Sequence, residues 1–424
     1  MKKIIAAVTA MALCAGMVMG FSGCSEESED STVSSVESGD NNQSEGSSGA
    51  SDRPNEIRDI TSVELVSEMK AGWNLGNTLD AGHAGSKGSE PTAIETSWGN
   101  PVTTKEMIDA VKEQGFNVLR VPVTWDWSTG EGPDYIISEE WMDRVQEVVN
   151  YGIDDDMFVI LDIHHETWHD PYEDNYEAAS DRMKKVWTQI GERFQNYDEH
   201  LIFEGMNEPR LRNTADEWNG GTDAAREVVN KLNADFVETI RSLGGNNPKR
   251  HLMIPGYAAS SANAALSAIK VPDDDKIIVS VHGYIPYNFA LATGGGANKY
   301  FLASRMTGDI DNLADTLKTL FIDKGQAVII GEFGAMNRDN DPFRVHWVKY
   351  YITKMNEIGV PCVWWDNNAN SGSGELFGLF NRRTLEWYSQ DVADALIAAA
   401  NGEFTLDEII AESDELLQSM KNNE

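Results

Sequence analysis

Beyond Arg53 the chain alternates short, near-continuous apolar runs with longer stretches in which apolar residues recur at helical spacing. Eight runs stand out: AGWNL (71–75), FNVLRVPV (116–123), MFVILDIH (157–164), LIFEGMN (201–207), HLMIPG (251–256), KIIVSVHGY (276–284), AVIIGEF (327–333) and PCVWW (361–365). Runs of this kind read as strands buried on both faces, as in a parallel sheet. Helical spacing is found at 141–149, 182–194, 225–243, 313–321, 346–358 and, after the last run, 390–400. TTKE (103–106) has the form of a capping box, with Met107, Ala110 and Val111 following on one helical face.

This alternation predicts an α/β protein built from βα units, and eight units predict a (β/α)8 TIM barrel in a single catalytic domain, 55–400. A doubly wound open sheet is the alternative. The position of polar residues separates the two, because a barrel gathers its site from the C-terminal ends of many strands and an open sheet from one switch point. Arg120, His164, Asn207, Glu208, His282, Tyr284, Glu332 and Trp365 are spread over such ends.

The ends of the chain read differently. Residues 1–24 have Lys2 and Lys3, an apolar stretch and then FSGC, the form of a bacterial export signal ending at a lipid-modified cysteine. That predicts a cell-surface lipoprotein starting at Cys24. Phe21 stands where a lipobox usually has leucine, so an ordinary signal cut, releasing a secreted chain, is the alternative. Residues 25–54 are serine-rich and acidic, too polar to bury a core, and read as a flexible tether. Residues 401–424 form a short acidic tail with some helical periodicity. A lipidated Cys24 would leave Cys362 unpaired, so no disulfide framework is expected. The formal charge of −35, from 69 acidic against 34 basic residues, disfavours nucleic acid and anionic membranes as partners.

The candidate chemistry starts from Glu208 and Glu332, each following an apolar run that fixes its backbone. Paired carboxylates of this kind suit a sugar hydrolase, in which one acid protonates a leaving oxygen while the other attacks or activates water. Arg120, a charge at the mouth of a barrel, is tolerable only beside carboxylates, whose ionised form it favours. His282 and Tyr284 alternate with Gly283 and so share a strand face. Trp73, Trp98, Trp125, Trp127, Trp168, Trp218 and Trp365 fall on or beside proposed loops, where flat rings could stack on sugars. A competing motif, HETWH (165–169), matches two zinc-binding histidines one helical turn apart with a glutamate between. It directly follows a strand run and meets Pro171, leaving no room for the helix it needs.

GWNLGNTLDA, SWGNP, GFNVLRVPVTW, VILDIHHE, LIFEGMNEPR, IIVSVHGYIPYNFA, VIIGEFGA and VWWDNN, in this order, resemble the bacterial endoglucanases of glycoside hydrolase family 5, especially their broad-specificity β-1,4-glucanase branch. The resemblance implies a retaining enzyme with Glu208 as general acid and base and Glu332 as nucleophile. It also implies Asn207 on the sugar 2-hydroxyl, Arg120 and Tyr284 on the nucleophile, and His164 and His282 in the network around both acids. Trp365 would be the sugar platform, with His165, Asn77 and Trp218 as further substrate contacts. The proton on Glu208 should be held by a pKa raised near the anionic Glu332, and the carboxyl groups should lie about 5 to 5.5 Å apart. The expected partner is a β-1,4-linked polysaccharide, with no cofactor or metal, no nucleic acid, membrane contact only through the N-terminal anchor, and a monomeric chain. A surface lipoprotein that captures glucans without cleaving them would share the signal, tether and tryptophans, but has no use for paired carboxylates.

Overall fold

All eight apolar runs become strands in the computed structural model, which describes residues 56–423. They are β1 (Ala71–Leu75), β2 (Val118–Val121), β3 (Phe158–Asp162), β4 (Leu201–Glu204), β5 (Leu252–Ser260), β6 (Ile277–His282), β7 (Ala327–Phe333) and β8 (Cys362–Asp366). Each pairs in parallel with the next, and β1 pairs with β8 from Ala71↔Cys362 to Leu75↔Asp366, so the sheet closes. Closure excludes the open-sheet alternative and identifies a (β/α)8 TIM barrel. The signal segment, Cys24 and the tether lie outside the described residues.

Alternate residues of each strand face opposite sides. Leu119, Val159, Phe203, Val279, Ile330 and Trp364 face outward into the layer between strands and helices. Val118, Ile160, Ile202, Ile278, Ile329 and Val363 face inward and fill the lower barrel, whose floor is the helix Ser62–Ser67 bringing Leu65 and Val66. The helices overlap the predicted ones, five of them starting earlier: Glu139–Asp154, Tyr176–Arg193, Asp223–Ser242, Gly308–Leu320, Asp341–Asn356 and Gln390–Ala400. Between β5 and β6 there is only the single turn Asn263–Leu266.

Helix Lys105–Gln114 starts one residue later than a TTKE capping box would place it, and that box does not form. Thr104 makes no side-chain cap bond, and the Thr103 backbone N–H donates instead to Glu95 at 2.6 Å. The helix ends at Gly115 with φ +117°, a conformation that favours glycine. The acidic tail forms the helix Leu406–Asn423, which packs on Asp341–Asn356 through buried Ile409 and a Lys349–Glu412 ion pair of 2.7 Å.

Candidate active site

The inward face changes character toward the C-terminal end of the barrel. Two residues beyond an inward apolar side chain stands a polar or aromatic one: Val118 leads to Arg120, Ile160 to Asp162 and then His164, Ile202 to Glu204, Ile278 to Ser280 and then His282, and Val363 to Trp365. The apolar floor and the polar mouth therefore belong to the same faces of the same strands.

Arg120 is fully buried, and all five of its N–H groups donate: Nε to Glu204 (2.7 Å), Nη1 to Asn74 (3.0 Å) and Glu332 (2.8 Å), Nη2 to Asp162 and Asn207 (both 2.8 Å). Burial alone would lower its pKa, but the charges of Glu204, Asp162 and Glu332 raise it further than burial depresses it. The other oxygen of Glu332 accepts the Tyr284 hydroxyl at 2.9 Å. Burial and the adjacent carboxylates push that hydroxyl well above the ordinary tyrosine range, so it remains a donor.

Glu332 reaches this position through an irregularity. By strict alternation it would face outward with Val328 and Ile330. The pairing of β6 with β7 shifts between Val281↔Ile330 and His282↔Glu332, so β7 carries one extra residue, Gly331. Such bulges re-aim a side chain. Gly331 faces inward, where an added Cβ would lie 3.1 Å from Met253 Cε and Ser280 Oγ, and the bulge turns Glu332 into the mouth beside His282.

Glu208 lies four residues beyond β4. His282 Nδ1 is 2.8 Å from its Oε1 and 3.6 Å from Oε2 of Glu332. One oxygen of each glutamate and a ring nitrogen of His282 lie within 4.8 Å of one another. The expected rise in the Glu208 pKa is not found in the free site. Burial pushes the carboxyl up, but the hydrogen bond and charge of His282, aided by Arg210, outweigh it and bring Glu208 down to about 2. His282 shifts the other way: burial lowers it, and Glu332 and Glu208 raise it more. Both shifts favour an imidazolium–carboxylate pair in the free site.

His164 is buried between Asp162 (Nδ1 to Oδ2, 2.7 Å) and Asn207 (Nε2 to Nδ2, 3.3 Å), and its ring stacks on Trp365 at 5.7 Å. Trp365 faces the mouth, whereas Trp364 packs outward against Phe333 and Trp347. His165 is half-buried, 3.6 Å from Asp80 and beside the exposed ring of Trp98. Asn77 occupies a left-handed turn (φ 57°) after β1, with its carbonyl bonded to Asn100. Trp218 is exposed on the loop after β4. The Arg210 guanidinium lies 4.4 Å from its ring centre, and Arg210 Nη1 is 3.5 Å from Glu208.

The tryptophan set shrinks on inspection. Trp73 and Trp125 are fully buried, Trp73 against Phe380 and Trp125 with its N–H on the Asp162 carbonyl. Only Trp98 and Trp218 of the seven are well exposed. HETWH forms no helix; Glu166 is buried and consumed by the N–H groups of Trp125, Asp126 and Trp168, and His169 is buried with its pKa pushed by burial down to about 3. Among the described residues, two groupings bring potential metal-binding atoms within 4.8 Å, Asp80–His164–His165 and Glu208–His282–Glu332. Neither contains the HETWH pair. Asp80 is already taken by the N–H groups of Asn77 and Thr78, and the second grouping is bonded internally.

Asp162, Glu204, Asn74, Ser280 and Arg210 complete the network and were not singled out from sequence. The first two close apolar runs, VILD and LIFE, where a charge two residues beyond an inward isoleucine was the available signal.

A model of the cellulase family, glycosyl hydrolase family 5, matches residues 82–371. Endoglucanase A of Ruminococcus albus is 46% identical over 351 residues, covering 82% of this chain and 95% of that one. A broad-specificity GH5-4 endoglucanase from Ruminococcus champanellensis, solved with bound cellotriose, superposes with TM-score 0.78 at 47% identity, covering 81% of this chain and 99% of that one. A GH5 xyloglucan-specific endo-β-1,4-glucanase from a metagenomic library, also with cellotriose, gives TM-score 0.76 at 41% identity, over 79% of this chain and 97% of that one. A closed barrel, two glutamates meeting at its mouth and this extent of similarity lead to one conclusion: the chain belongs to glycosyl hydrolase family 5.

Proposed function

We propose that this chain is a retaining endo-β-1,4-glucanase that cuts internal linkages of cellulose and related β-glucans through a covalent glycosyl-enzyme. The supporting observation is the approach of Glu208 and Glu332, with one oxygen of each inside 4.8 Å. Retaining enzymes place their carboxyl groups about 5–5.5 Å apart, whereas inverting ones need roughly 6.5–9.5 Å to admit a water. Glu332, oriented by Arg120 and Tyr284, attacks the anomeric carbon as the glycosidic C–O bond breaks. Glu208 delivers the proton to the departing oxygen. A neutral sugar filling the cleft strips water from the His282–Glu208 pair and favours its uncharged form, in which Glu208 holds the proton. In the second step Glu208 takes a proton from water, whose oxygen displaces Glu332, so the anomeric configuration is retained.

In this reading Asn207 bonds the sugar 2-hydroxyl, Trp365 and His164 line the sugar next to the scissile bond, and Trp98 with His165 and Trp218 lie to either side. Xyloglucan, mixed-linkage glucan and xylan are candidate backbones beside cellulose, and the xyloglucan-specific relative supports the first. The enzyme acts as a monomer displayed at the cell surface through Cys24. The test follows the anomeric configuration of the first product by proton NMR, with Glu332→Ala in parallel. A β-configured product and a variant that binds glucan without turning it over are expected. An inverted product, or substantial turnover by Glu332→Ala, overturns the mechanism.

A further inference from the structure

A guanidinium only donates, so Arg120 orients its neighbours. Its Nη2 donates to Oδ2 of Asp162 and to a side-chain atom of Asn207, which must therefore be the amide oxygen. The Asn207 nitrogen then faces Nε2 of His164 at 3.3 Å. An amide nitrogen donates and does not accept, so Nε2 must be the acceptor and the proton of the ring sits on Nδ1. Nδ1 is 2.7 Å from Oδ2 of Asp162, the oxygen that also receives Arg120. Burial holds the His164 pKa well below the ordinary imidazole value, consistent with a neutral ring carrying that single proton. The remaining oxygen of Asp162 accepts the Val123 N–H at 2.9 Å. Arg120, Asp162, His164 and Asn207 thus close a buried ring of hydrogen bonds, each with a fixed direction.

We propose that Asp162 is a positioning residue for the glycosidase reaction: by keeping the His164 proton on Nδ1, it fixes the Asn207 amide so that its second N–H is offered to the sugar 2-hydroxyl. The inference rests on the reading of Asn207 given under Proposed function. The link is physical. Without an acceptor at Oδ2, the ring is free to carry its proton on Nε2, where it meets the Asn207 N–H head on. The amide is then caught between two donors, Arg120 on one side and His164 on the other, and loses its single orientation.

The test compares kcat/KM for an aryl β-cellobioside and for its analogue lacking the 2-hydroxyl on the sugar that bears the aryl group. In the wild type the hydroxyl is worth on the order of 10 to 100-fold, the range for a hydrogen bond to a group that gains charge in the transition state. Asp162→Ala, which removes the acceptor at Oδ2 altogether, should bring that ratio close to unity. If both substrates slow by the same factor and the ratio stays at its wild-type value, Asp162 only supports the fold and the proposal fails. Asn207→Ala is the control; a wild-type ratio there means that the reading of Asn207, and not the link through Asp162, is wrong. A second measurement needs no stable Asp162 variant. Nitrogen NMR of the wild-type enzyme labelled in its histidine rings, assigned with His164→Gln, should show His164 protonated on Nδ1 alone. A proton on Nε2 overturns the proposal.

Discussion

Two arginines in this barrel are equally buried and equally satisfied, yet they do opposite things. Arg120 sits at the mouth and Arg250 at the floor, just before β5, and each spends all five N–H groups. Those of Arg250 go to the Asn247 side chain and to the carbonyls of Asp198, Leu201, Phe194 and Tyr197. Burial lowers the pKa of both. At the floor, burial outweighs the charge of Asp198, Arg241 adds to it, and Arg250 falls to about 9; at the mouth, three carboxylates in direct contact reverse the shift. The histidines repeat the pattern. His251, beside Arg250, is lowered by burial and neighbouring cations to about 4, while His282 is raised by Glu332 and Glu208. The number of carboxylates facing the group directly, and not depth, distinguishes a structural staple from a site poised to move charge.

The sharpest way to break this comparison is to remove each arginine in turn. Arg120→Met should lower kcat/KM by on the order of a thousandfold, the scale seen when one oriented donor is lost from an active site. Arg250→Met should leave the folded enzyme within a few-fold of normal activity but cost several kcal/mol of stability, roughly 1–3 for each carbonyl left without a donor. Thermal unfolding and kinetics below the lower midpoint would check both. An equal loss of activity in a still-folded Arg250 variant would dissolve the distinction.

A smaller effect is expected at Gly331. Adding a methyl group there presses on Met253 and Ser280 and shifts the bulge that aims Glu332. Gly331→Ala should lower kcat by about a hundredfold, the cost of a misplacement near 1 Å, with substrate binding little changed. Equal losses in kcat and in glucan affinity would show that the bulge shapes the whole cleft and not Glu332 alone.

The mildest test uses pH, and the two histidines should respond in opposite senses. His282 is raised in the folded protein, so its pair with Glu208 keeps its proton above the ordinary imidazole value of about 6.5. The basic limb of kcat/KM should lie above that value and move to lower pH in His282→Gln. The stability that His282 contributes is complete below the unfolded value and is lost as pH rises through the folded one. His251 is lowered, so its contribution is complete above about 6.5 and is lost as pH falls toward 4, by up to about 3 kcal/mol. Denaturant titrations of His251→Gln should show a flatter acid-side decline. An unchanged slope would mean that other buried groups carry it.

Much of the site was legible because the residues that face each other in space end consecutive runs in sequence. Glu208, Glu332, Arg120, His282 and Tyr284 all meet as expected, and Trp365 faces the same mouth while Trp364 packs outward. The misses have a common cause. Reading VILD and LIFE as uniformly apolar hid Asp162 and Glu204, whose side chains turn inward with the isoleucines two residues before them. Trp73 and Trp125 were placed with the loop tryptophans, but strand position and the packing of Phe380 and Asp162 put them in the core.

The sequence by itself determined the eight strands, their order and the placing of Glu208 and Glu332 after apolar runs, because run length and periodicity are local properties that a parallel barrel leaves intact. Only the tertiary structure decided which way the Glu208 and His282 pKa values move and which way Glu332 points. The first depends on His282, 74 residues along the chain from Glu208, lying 2.8 Å from it. The second depends on one extra residue in β7, whose effect exists only once β6 is alongside. Charge balance and side-chain direction at the mouth are relations between strands, and they arise when the barrel closes.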